Sequence, residues 1–342
     1  MLTDMKLVRG VVKIIDQVCN VKKGERVLVV TDTAMAPHIP NLFGIVAEDR
    51  GAKVFLMTYN PPKFQGSEPP KMIAAAMMES DVILEVGSVF IGHSEARHNA
   101  LAAGARWQCM AQMNDLVLMQ PSGLDANFHA FKPVAEKIVA YETKANSIKV
   151  TARGGTNFTA NITGRPARAL RGICHQPGDF EAAPNIEASI TPIEGSANGV
   201  VVVDGFADMV GGNSVENEPI KIYLKDGVAY KFEGKRADVI KRRLEEANEP
   251  DVFQCAEIGI GFNPKCINAH NQICESEGVY GSAHIALGTS PWPESPLRTA
   301  LHMDLVFHYA TIEMDGKMIV KDGDLIPEIK GNLFEEVELK EE

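Results

Sequence analysis

The first 145 residues alternate between short apolar runs and amphipathic segments. Apolar residues recur at helical spacing through Leu7, Val11 and Val18, which predicts an amphipathic first helix. A buried strand is predicted for ERVLVVTD, two further strands for KVFLMTY and VILEVGS, and helices for NLFGIVAEDRGA, PPKMIAAAMMESD and HSEARHNALAAGA. Strands that alternate with helices of this length need crossover connections. Residues 1–145 are therefore predicted to form a Rossmann-like α/β domain with a parallel sheet.

The pattern changes after residue 146. β-Branched residues flank Gly-Gly or Asp-Gly pairs, a hairpin signal, in IKVTARGGTNFTANITG, IKIYLKDGVAYKFEG and TIEMDGKMIVKDG. The segment RADVIKRRLEEAN predicts one helix among these strands, and FKPVAEKIVAYETKA predicts the helix that joins the two halves. Residues 146–342 are predicted to form an α+β domain with antiparallel strands.

Two polar residues interrupt the apolar strand TALHMDLVF. His302 and Asp304 are two positions apart, so in a strand both side chains lie on one face. An imidazole and a carboxylate at close range are suitable metal ligands. The alternative is a hydrogen-bonded polar pair at a domain boundary.

Three more polar residues stand in strand-like apolar surroundings, namely Glu187 in NIEASITPIEG, Glu257 in CAEIGIGFNP and His284 in YGSAHIALG. Alone, Glu187 fits an exposed strand end and His284 fits a hydrogen-bonded core histidine. Glu257 needs a cation, an arginine or solvent, because burying an unpaired carboxylate is costly. Together with His302 and Asp304 they form a set suited to one or two divalent ions, such as Zn²⁺, Co²⁺ or Mn²⁺. The α+β domain is therefore predicted to carry a metal site.

Charge and composition exclude several classes of partner. A net charge of −11 argues against nucleic acid or an anionic membrane as the main partner. No 18-residue apolar run is present, so no membrane span is expected. Six scattered cysteines and the lack of a signal peptide predict buried free thiols and a cytoplasmic location. Dinucleotide, P-loop and GxSxG motifs are absent.

The segments IEGSANGVVVVDG, AEIGIGFNP, YGSAHIALG and LHMDLV together resemble the aminopeptidase T / aminopeptidase S family of metallo-aminopeptidases. The likeness runs from about residue 5 to residue 325. It implies a homodimer with a co-catalytic metal site whose ligands are Glu187, Glu257, His284, His302 and Asp304. That family has a tyrosine seven residues after the histidine of HIALG, where this chain has Pro291. Tyr280 and Tyr309 are the candidates to replace it.

In length and around GICHQPGDFEAAP, the chain is also similar to a sister group, the 2,5-dihydroxypyridine dioxygenases. That resemblance implies a mononuclear non-haem Fe(II) site, with the iron-binding triad on Glu257, His302 and Asp304. The first of these is a histidine in the dioxygenases. Their catalytic base falls on His93, which follows VILEVGS at the carboxyl edge of the predicted parallel sheet, where ligands tend to bind. The alternative for His93 is a histidine beside a helix N-cap at Ser94, without a catalytic role.

Three carboxylates around one Fe(II) differ from the usual two imidazoles and one carboxylate. The sequence therefore favours a metal-dependent hydrolase that attacks a peptide N-terminus or small amide with a metal-bound hydroxide. Glu187 and His93 are its predicted catalytic residues, and a short peptide or small molecule is its predicted substrate. The alternatives are an Fe(II) ring-cleaving dioxygenase and a metal-free binding module.

Overall fold

The computed structural model describes residues 2–208, 210 and 212–338. The helices are α1 Leu2–Val12, α2 His38–Asp49, α3 Lys71–Met78, α4 Glu95–Ala102, α5 Asp115–Leu118, α6 Lys132–Lys144, α7 Ala237–Glu245, α8 Ile273–Gly278, α9 Pro327–Lys330 and α10 Leu333–Glu338. The strands of the first half and the joining region are β1 Arg26–Asp32, β2 Lys53–Tyr59, β3 Val82–Glu85, β4 Arg106–Cys109, β5 Ser147–Ala152, β6 Asn157–Asn161, β7 Arg168–Leu170 and β8 Phe180–Glu181. The remaining strands are β9 Glu187–Ile190, β10 Asn198–Val203, β11 Phe206–Ala207, β12 Ile220–Lys225, β13 Val228–Glu233, β14 Cys255–Gly261, β15 Ala283–Gly288, β16 His302–Phe307, β17 Ala310–Met314, β18 Lys317–Lys321 and β19 Asp324–Leu325.

A five-stranded parallel sheet forms the first half, with strand order β2-β1-β3-β4-β8. The predicted strands and helices of this half are confirmed. The sheet takes its last strand, β8, from beyond residue 146, where Trp107 pairs with Phe180. A strand of two residues is too short to show a period-two pattern, so sequence patterns do not predict this exchange.

Two antiparallel sheets form the second half. One has eight strands in the order β13-β12-β10-β6-β5-β17-β18-β19, and the other has six in the order β11-β16-β15-β14-β9-β7. The three predicted hairpins are confirmed as β5–β6, β12–β13 and β17–β18. Positive φ at both residues of Asp226-Gly227, 48° and 79°, is what a tight type I′ hairpin turn requires.

The apolar faces of the two antiparallel sheets share one hydrophobic core. Ile148, Val150 and Phe158 of the eight-stranded sheet lie in the same buried cluster as Ile258 and Leu305 of the six-stranded sheet. The predicted fold class, an α/β part with a parallel sheet followed by an α+β part with antiparallel strands, is confirmed. The opposite face of the six-stranded sheet is left to face the parallel sheet.

The six cysteines are free and buried, as the sequence predicts. Among the described residues, none of the helices combines the length and the apolar character needed to cross a membrane.

Candidate metal centre

Five of the predicted site residues project from one face of the six-stranded sheet. In the register of β14, β15 and β16, Glu257 lies opposite Ala286, which lies opposite Asp304. On the same face, His302 lies opposite Gly288 and Glu187 opposite Gly261. Each long polar side chain therefore has a small neighbour across the strand, which leaves room for the ligands to converge.

Glycine at position 259 makes space for the ring of His284. A Cβ atom added to Gly259 would lie 2.1 Å from Cε1 of His284. Heavy atoms in contact do not approach that closely, so the imidazole can lie over β14 only because its cross-strand partner is glycine. The sequence GIG, a plain strand feature in isolation, is thus part of the site.

A β-bulge turns Glu257 toward the site. Cys255 pairs with Leu287, whereas Glu257 pairs with Ala286, so the register shifts by one residue between them. Adjacent residues of β15 point to opposite faces. The bulge therefore places Cys255 on the core side and Glu257 on the polar side, although regular alternation would put both on one face.

His302 is the most constrained residue of the cluster. Its Nδ1 donates to the carbonyl oxygen of Thr289 at 2.8 Å, which leaves Nε2 facing the carboxylates. Nε2 lies 2.9 Å from Asp304 Oδ1 and 3.4 Å from Glu257 Oε2. The predicted adjacency of His302 and Asp304 on one strand face is confirmed, and both now have Glu257 beside them.

Glu187 and His284 lie next to that trio. His284 Nε2 is 3.6 Å from Glu187 Oε2. Glu187 is 5% exposed, so its interpretation as an exposed strand-end carboxylate is wrong. Glu187, Glu257 and His284 each offer a ligand atom, and these atoms lie within 4.8 Å of one another.

Glu277 is a site residue that sequence reasoning missed. It lies on the short helix α8, and its Oε2 accepts a bond from Asn185 Nδ2, which also donates to Glu187 Oε2, both at 3.1 Å. Glu277, His284 and Asp304 offer a further set of ligand atoms within 4.8 Å. Acidic residues in a six-residue helix ordinarily face solvent, and only the tertiary packing of α8 against β14 turns Glu277 inward.

Crowding makes these carboxyls weak acids. Burial, reinforced by the charge of Asp304, raises the pKa of Glu187 to about 7. Burial and the charge of Glu187 likewise raise the pKa of Glu257 to about 7. Burial and the charge of Asp304 raise the pKa of Glu277 well above its usual value. The carboxyls therefore outnumber the positive charges in the cluster, and a divalent cation would relieve their repulsion.

The pKa values of His284 and His302 shift in opposite directions. Burial lowers the pKa of His284. Burial alone would lower the pKa of His302 as well, but the charge and hydrogen bond of Asp304, with help from Glu257, raise it to about 9. Nδ1 of His284 is buried without a hydrogen-bond partner within the described part of the chain. Carboxylate oxygens and imidazole nitrogens with unused lone pairs fit a divalent metal such as Fe²⁺, Mn²⁺, Co²⁺ or Zn²⁺.

His93 approaches the metal-binding residues from the parallel sheet. It lies directly before α4, whose N-cap Ser94 accepts a bond from the Arg97 backbone, so the N-cap prediction is confirmed. Its ring centroid is 4.2 Å from that of His302 and 4.5 Å from that of Phe90. Burial and the neighbouring His302 lower the pKa of His93 well below its usual value. His93 is therefore neutral at pH 7 and close enough to act on a molecule beside the metal residues.

Buried carboxylates hold the loop that carries His93. Glu85, the last residue of β3, accepts bonds from the Ile91 backbone at 2.6 Å and from Trp107 Nε1 at 2.9 Å. Asp32, the last residue of β1, accepts bonds from the backbone and the hydroxyl of Ser88 at 2.5 and 2.8 Å. The carboxyl edge of the parallel sheet thereby fixes the residues that precede His93.

A cavity of about 50 Å³ connects His93 with the metal residues. Aromatic side chains supply part of its wall, namely Phe90, Phe180 and Trp292. Pro291 also lines it, whereas Tyr280 and Tyr309 do not. The Tyr280 hydroxyl donates instead to Asp324 at 2.6 Å, and Tyr309 is 51% exposed. The interpretation that either tyrosine replaces the missing phenol is therefore wrong.

A comparison of the sequence with known protein families identifies the family of this chain. The sequence model described as NicX, 2,5-dihydroxypyridine 5,6-dioxygenase, matches residues 10–327. The chain belongs to the 2,5-dihydroxypyridine 5,6-dioxygenase family. A curated member of the family, the 2,5-dihydroxypyridine 5,6-dioxygenase of Pseudomonas putida, is 23% identical over 263 residues, which cover 71% of each chain.

Solved structures agree with the dioxygenase-family fold. The 2,5-dihydroxypyridine dioxygenase of Pseudomonas putida matches with a TM-score of 0.78 at 18% identity, over 94% of this chain and 97% of the other. AmpT of Thermus thermophilus matches with a TM-score of 0.66 at 13% identity, over 94% and 99%. Both resemblances found in the sequence are confirmed. This member of the dioxygenase family carries a set of donor atoms that fits a divalent metal.

Proposed function

We propose that this protein is an Fe(II)-dependent dioxygenase that opens the ring of a small hydroxylated nitrogen heterocycle of the 2,5-dihydroxypyridine type. The observation that carries the proposal is the cavity in which aromatic walls meet His93, His302 and Asp304. A flat ring suits a small, aromatic-lined space. The family relationship supports this reading, and we place it ahead of the hydrolase that the sequence favours.

Glu257, His302 and Asp304 would hold the iron, with Glu257 at the position of a family histidine. When bound, iron(II) supplies the capacity to activate dioxygen and to bind the ionised hydroxyl of the ring. The hydrogen bond from His302 Nδ1 to Thr289 fixes the orientation of that imidazole. Glu187, Glu277 and His284 would set the charge around the site.

His93 is the proposed general base. It is neutral at pH 7 because burial and His302 lower its pKa, so its ring can accept a proton from a substrate hydroxyl. Nδ1 of His93 is buried and has no hydrogen-bond partner among the described residues, which leaves it available. Phe90 packs edge-on against His93 and limits the access of water.

Hydrolysis remains the second candidate, because one observation favours it. Glu187, Glu257 and Glu277 are all buried beside His284 and Asp304. So many carboxylates would suit two divalent ions, which would supply an activated hydroxide, as in metallo-aminopeptidases. With Pro291 in place of the family tyrosine, amide hydrolysis in general is a better hydrolase hypothesis than broad aminopeptidase activity. Glu187 would then act as a catalytic carboxylate. In either proposal the protein is a homodimer, and each protomer consists of an α/β unit, residues 1–145, and an α+β unit, residues 146–342.

Two assays on one preparation separate these candidates. We expect rapid dioxygen uptake with 2,5-dihydroxypyridine after Fe(II) is added anaerobically, and none with Zn²⁺ or Co²⁺. Release of p-nitroaniline from aminoacyl p-nitroanilides that depends on Co²⁺ or Zn²⁺, without dioxygen uptake, would overturn the proposal. His38→Ala is the matched control, because His38 is a half-exposed histidine paired with Asp115 on the surface.

A further inference from the structure

A second, larger cleft lies behind the aromatic wall of the metal cavity. Its volume is about 470 Å³, and helices α4 and α6 and strand β7 supply parts of its lining. Leu170, Phe180 and Trp292 line both spaces, so they form the partition between the cleft and the metal site. The cleft is large enough for a small organic molecule.

Arg97 is the unusual residue of this cleft. It is 2% exposed, and none of the described carboxylates lies within ion-pair distance of it. Its Nη2 donates to the Pro291 carbonyl oxygen at 2.7 Å and to His98 Nε2 at 3.2 Å. Its Nε is buried without a partner in the part of the chain that the structure describes. A buried guanidinium without a carboxylate is costly, so its retention needs another explanation.

Each acidic residue that lines the cleft is engaged elsewhere. Glu181 accepts bonds from the backbone of Arg171 and Gly172 at 2.5 and 2.7 Å. Asp179 accepts a bond from the Gln176 backbone at 2.7 Å. The remaining one, Glu136, is mostly exposed on α6 and lies 3.9 Å from Lys132. None of these pairs with Arg97, whose guanidinium therefore has no carboxylate in contact, although the charges of Glu85 and Glu257 favour its protonated form.

Aromatic rings flank the same guanidinium. The Cζ atom of Arg97 lies 4.4 Å from the ring centroid of Phe180 and 6.0 Å from that of Trp292. Arg168 packs on the Trp292 ring at 4.8 Å, while its own charge is paired with Glu294. A planar donor fork beside flat rings matches a carboxylate attached to a flat, unsaturated skeleton.

We propose that the Arg97 cleft binds the carboxylate of a small planar organic acid next to the metal site. The acid can be a ring carboxylate that enters as substrate or the open-chain acid that ring cleavage releases. The choice between these two sources rests on the proposed function, whereas the binding itself does not. Phe180 and Trp292, as the partition, would separate the acid from the metal residues.

Trp292 provides the probe, because it lies in the partition. The full-length chain as purified is titrated with benzoate and, as the neutral isostere, with benzamide, while tryptophan fluorescence is recorded. We expect saturable binding of benzoate and at least tenfold weaker binding of benzamide. Maleate serves as the open-chain acid: tighter binding of benzoate assigns the cleft to a substrate, and tighter binding of maleate assigns it to a product. Equal binding of benzoate and benzamide would overturn the proposal.

Variants attribute the binding to the guanidinium. Arg97→Met is expected to weaken benzoate binding at least tenfold, and Arg97→Lys to restore part of it by retaining the charge. Arg153→Met is the control, because Arg153 is an exposed arginine paired with Asp322. Unchanged benzoate affinity in a folded Arg97→Met protein would overturn the proposal. The wild-type comparison of benzoate with benzamide decides the question even if neither Arg97 variant folds.

The test is independent of turnover. Benzoate binding through Arg97 without dioxygen uptake would refute the proposed function and leave the cleft proposal standing. Dioxygen uptake without selective benzoate binding would refute the cleft proposal and leave the proposed function standing.

Discussion

Buried carboxylates occur in two regions of this protein, and the two groups differ in their hydrogen-bond partners. At the carboxyl edge of the parallel sheet, Asp32 and Glu85 accept hydrogen bonds from the backbone of the following loop. On the six-stranded sheet, Glu187, Glu257 and Glu277 crowd one another instead. A carboxylate whose lone pairs are used by N–H groups has a structural role. Carboxylates that repel each other in a shared cavity fit a role in binding a cation.

Removing a metal residue should have the largest effect. His302→Ala and Asp304→Ala are each expected to lower metal affinity by at least about 100-fold, since both belong to the same ligand cluster. The fold should be retained, because a smaller side chain on this face relieves crowding. Metal content after gel filtration is the measurement, and full metal content in both variants would refute the assignment of the cluster. His38→Ala is the control.

Removing His93 should leave the metal in place and slow the reaction. General-base catalysis contributes about 10²–10⁴-fold, so His93→Ala is expected to lower kcat by that range. Metal content should equal that of the wild type, since the ligand cluster on the six-stranded sheet keeps its strand residues. Loss of metal together with kcat would instead make His93 a ligand.

Filling the space at Gly259 tests whether the sheet positions His284. Gly259→Ala places a methyl group against the imidazole and should cost about 1–3 kcal/mol of unfolding free energy. Metal affinity should fall as well, because the ring must move. Gly44→Ala on α2 is the control, since its nearest neighbour would be 3.6 Å away. Equal stability of the two variants in urea would contradict the packing argument.

Glu142 is a buried carboxyl group that belongs to neither of these two regions. It is fully buried on α6, and neither carboxyl oxygen has a hydrogen-bond partner among the described residues. Burial, with the charges of Glu187 and Glu257, raises its pKa well above the usual value. The folded state therefore keeps the proton while the unfolded chain releases it above its ordinary pKa of about 4.5.

The free energy of unfolding therefore falls as the pH rises above about 4.5, by up to about 1.4 kcal/mol per pH unit for one group such as Glu142. Glu142→Leu removes this loss, so its advantage over the wild type should be larger at pH 8 than at pH 5. Urea unfolding at both pH values measures it. Glu136→Leu, an exposed glutamate on the same helix, should change stability by less than about 0.5 kcal/mol. An advantage for Glu142→Leu that does not grow with pH would contradict the account.

Sequence patterns predicted much of this structure. Period-two and helical spacing located the strands and helices, and the adjacency of His302 and Asp304 followed from alternation along one strand. Glu187, Glu257 and His284 were grouped with that pair as polar residues in apolar surroundings, and the family resemblance then implied that all five are metal ligands. Local pattern alone could not bring four strands together.

The remaining features depend on tertiary contacts. The bulge between Cys255 and Glu257 overrides strand alternation, and nothing in CAEIGIG marks it. Glu277 faces inward only because α8 packs against β14, and β8 is a strand only because β4 offers it an open edge. The preference for a hydrolase rested on counting carboxylates, whereas the aromatic-lined cavity that favours a dioxygenase becomes visible only in the folded chain.

The most direct test of the central claim follows the fate of dioxygen. The iron-loaded protein is given 2,5-dihydroxypyridine under isotope-labelled dioxygen, and the product is weighed by mass spectrometry. Both labelled oxygen atoms are predicted to appear in one ring-opened acid, with one dioxygen consumed per ring. An intact ring and no dioxygen uptake, in protein shown to contain iron, would contradict the dioxygenase assignment.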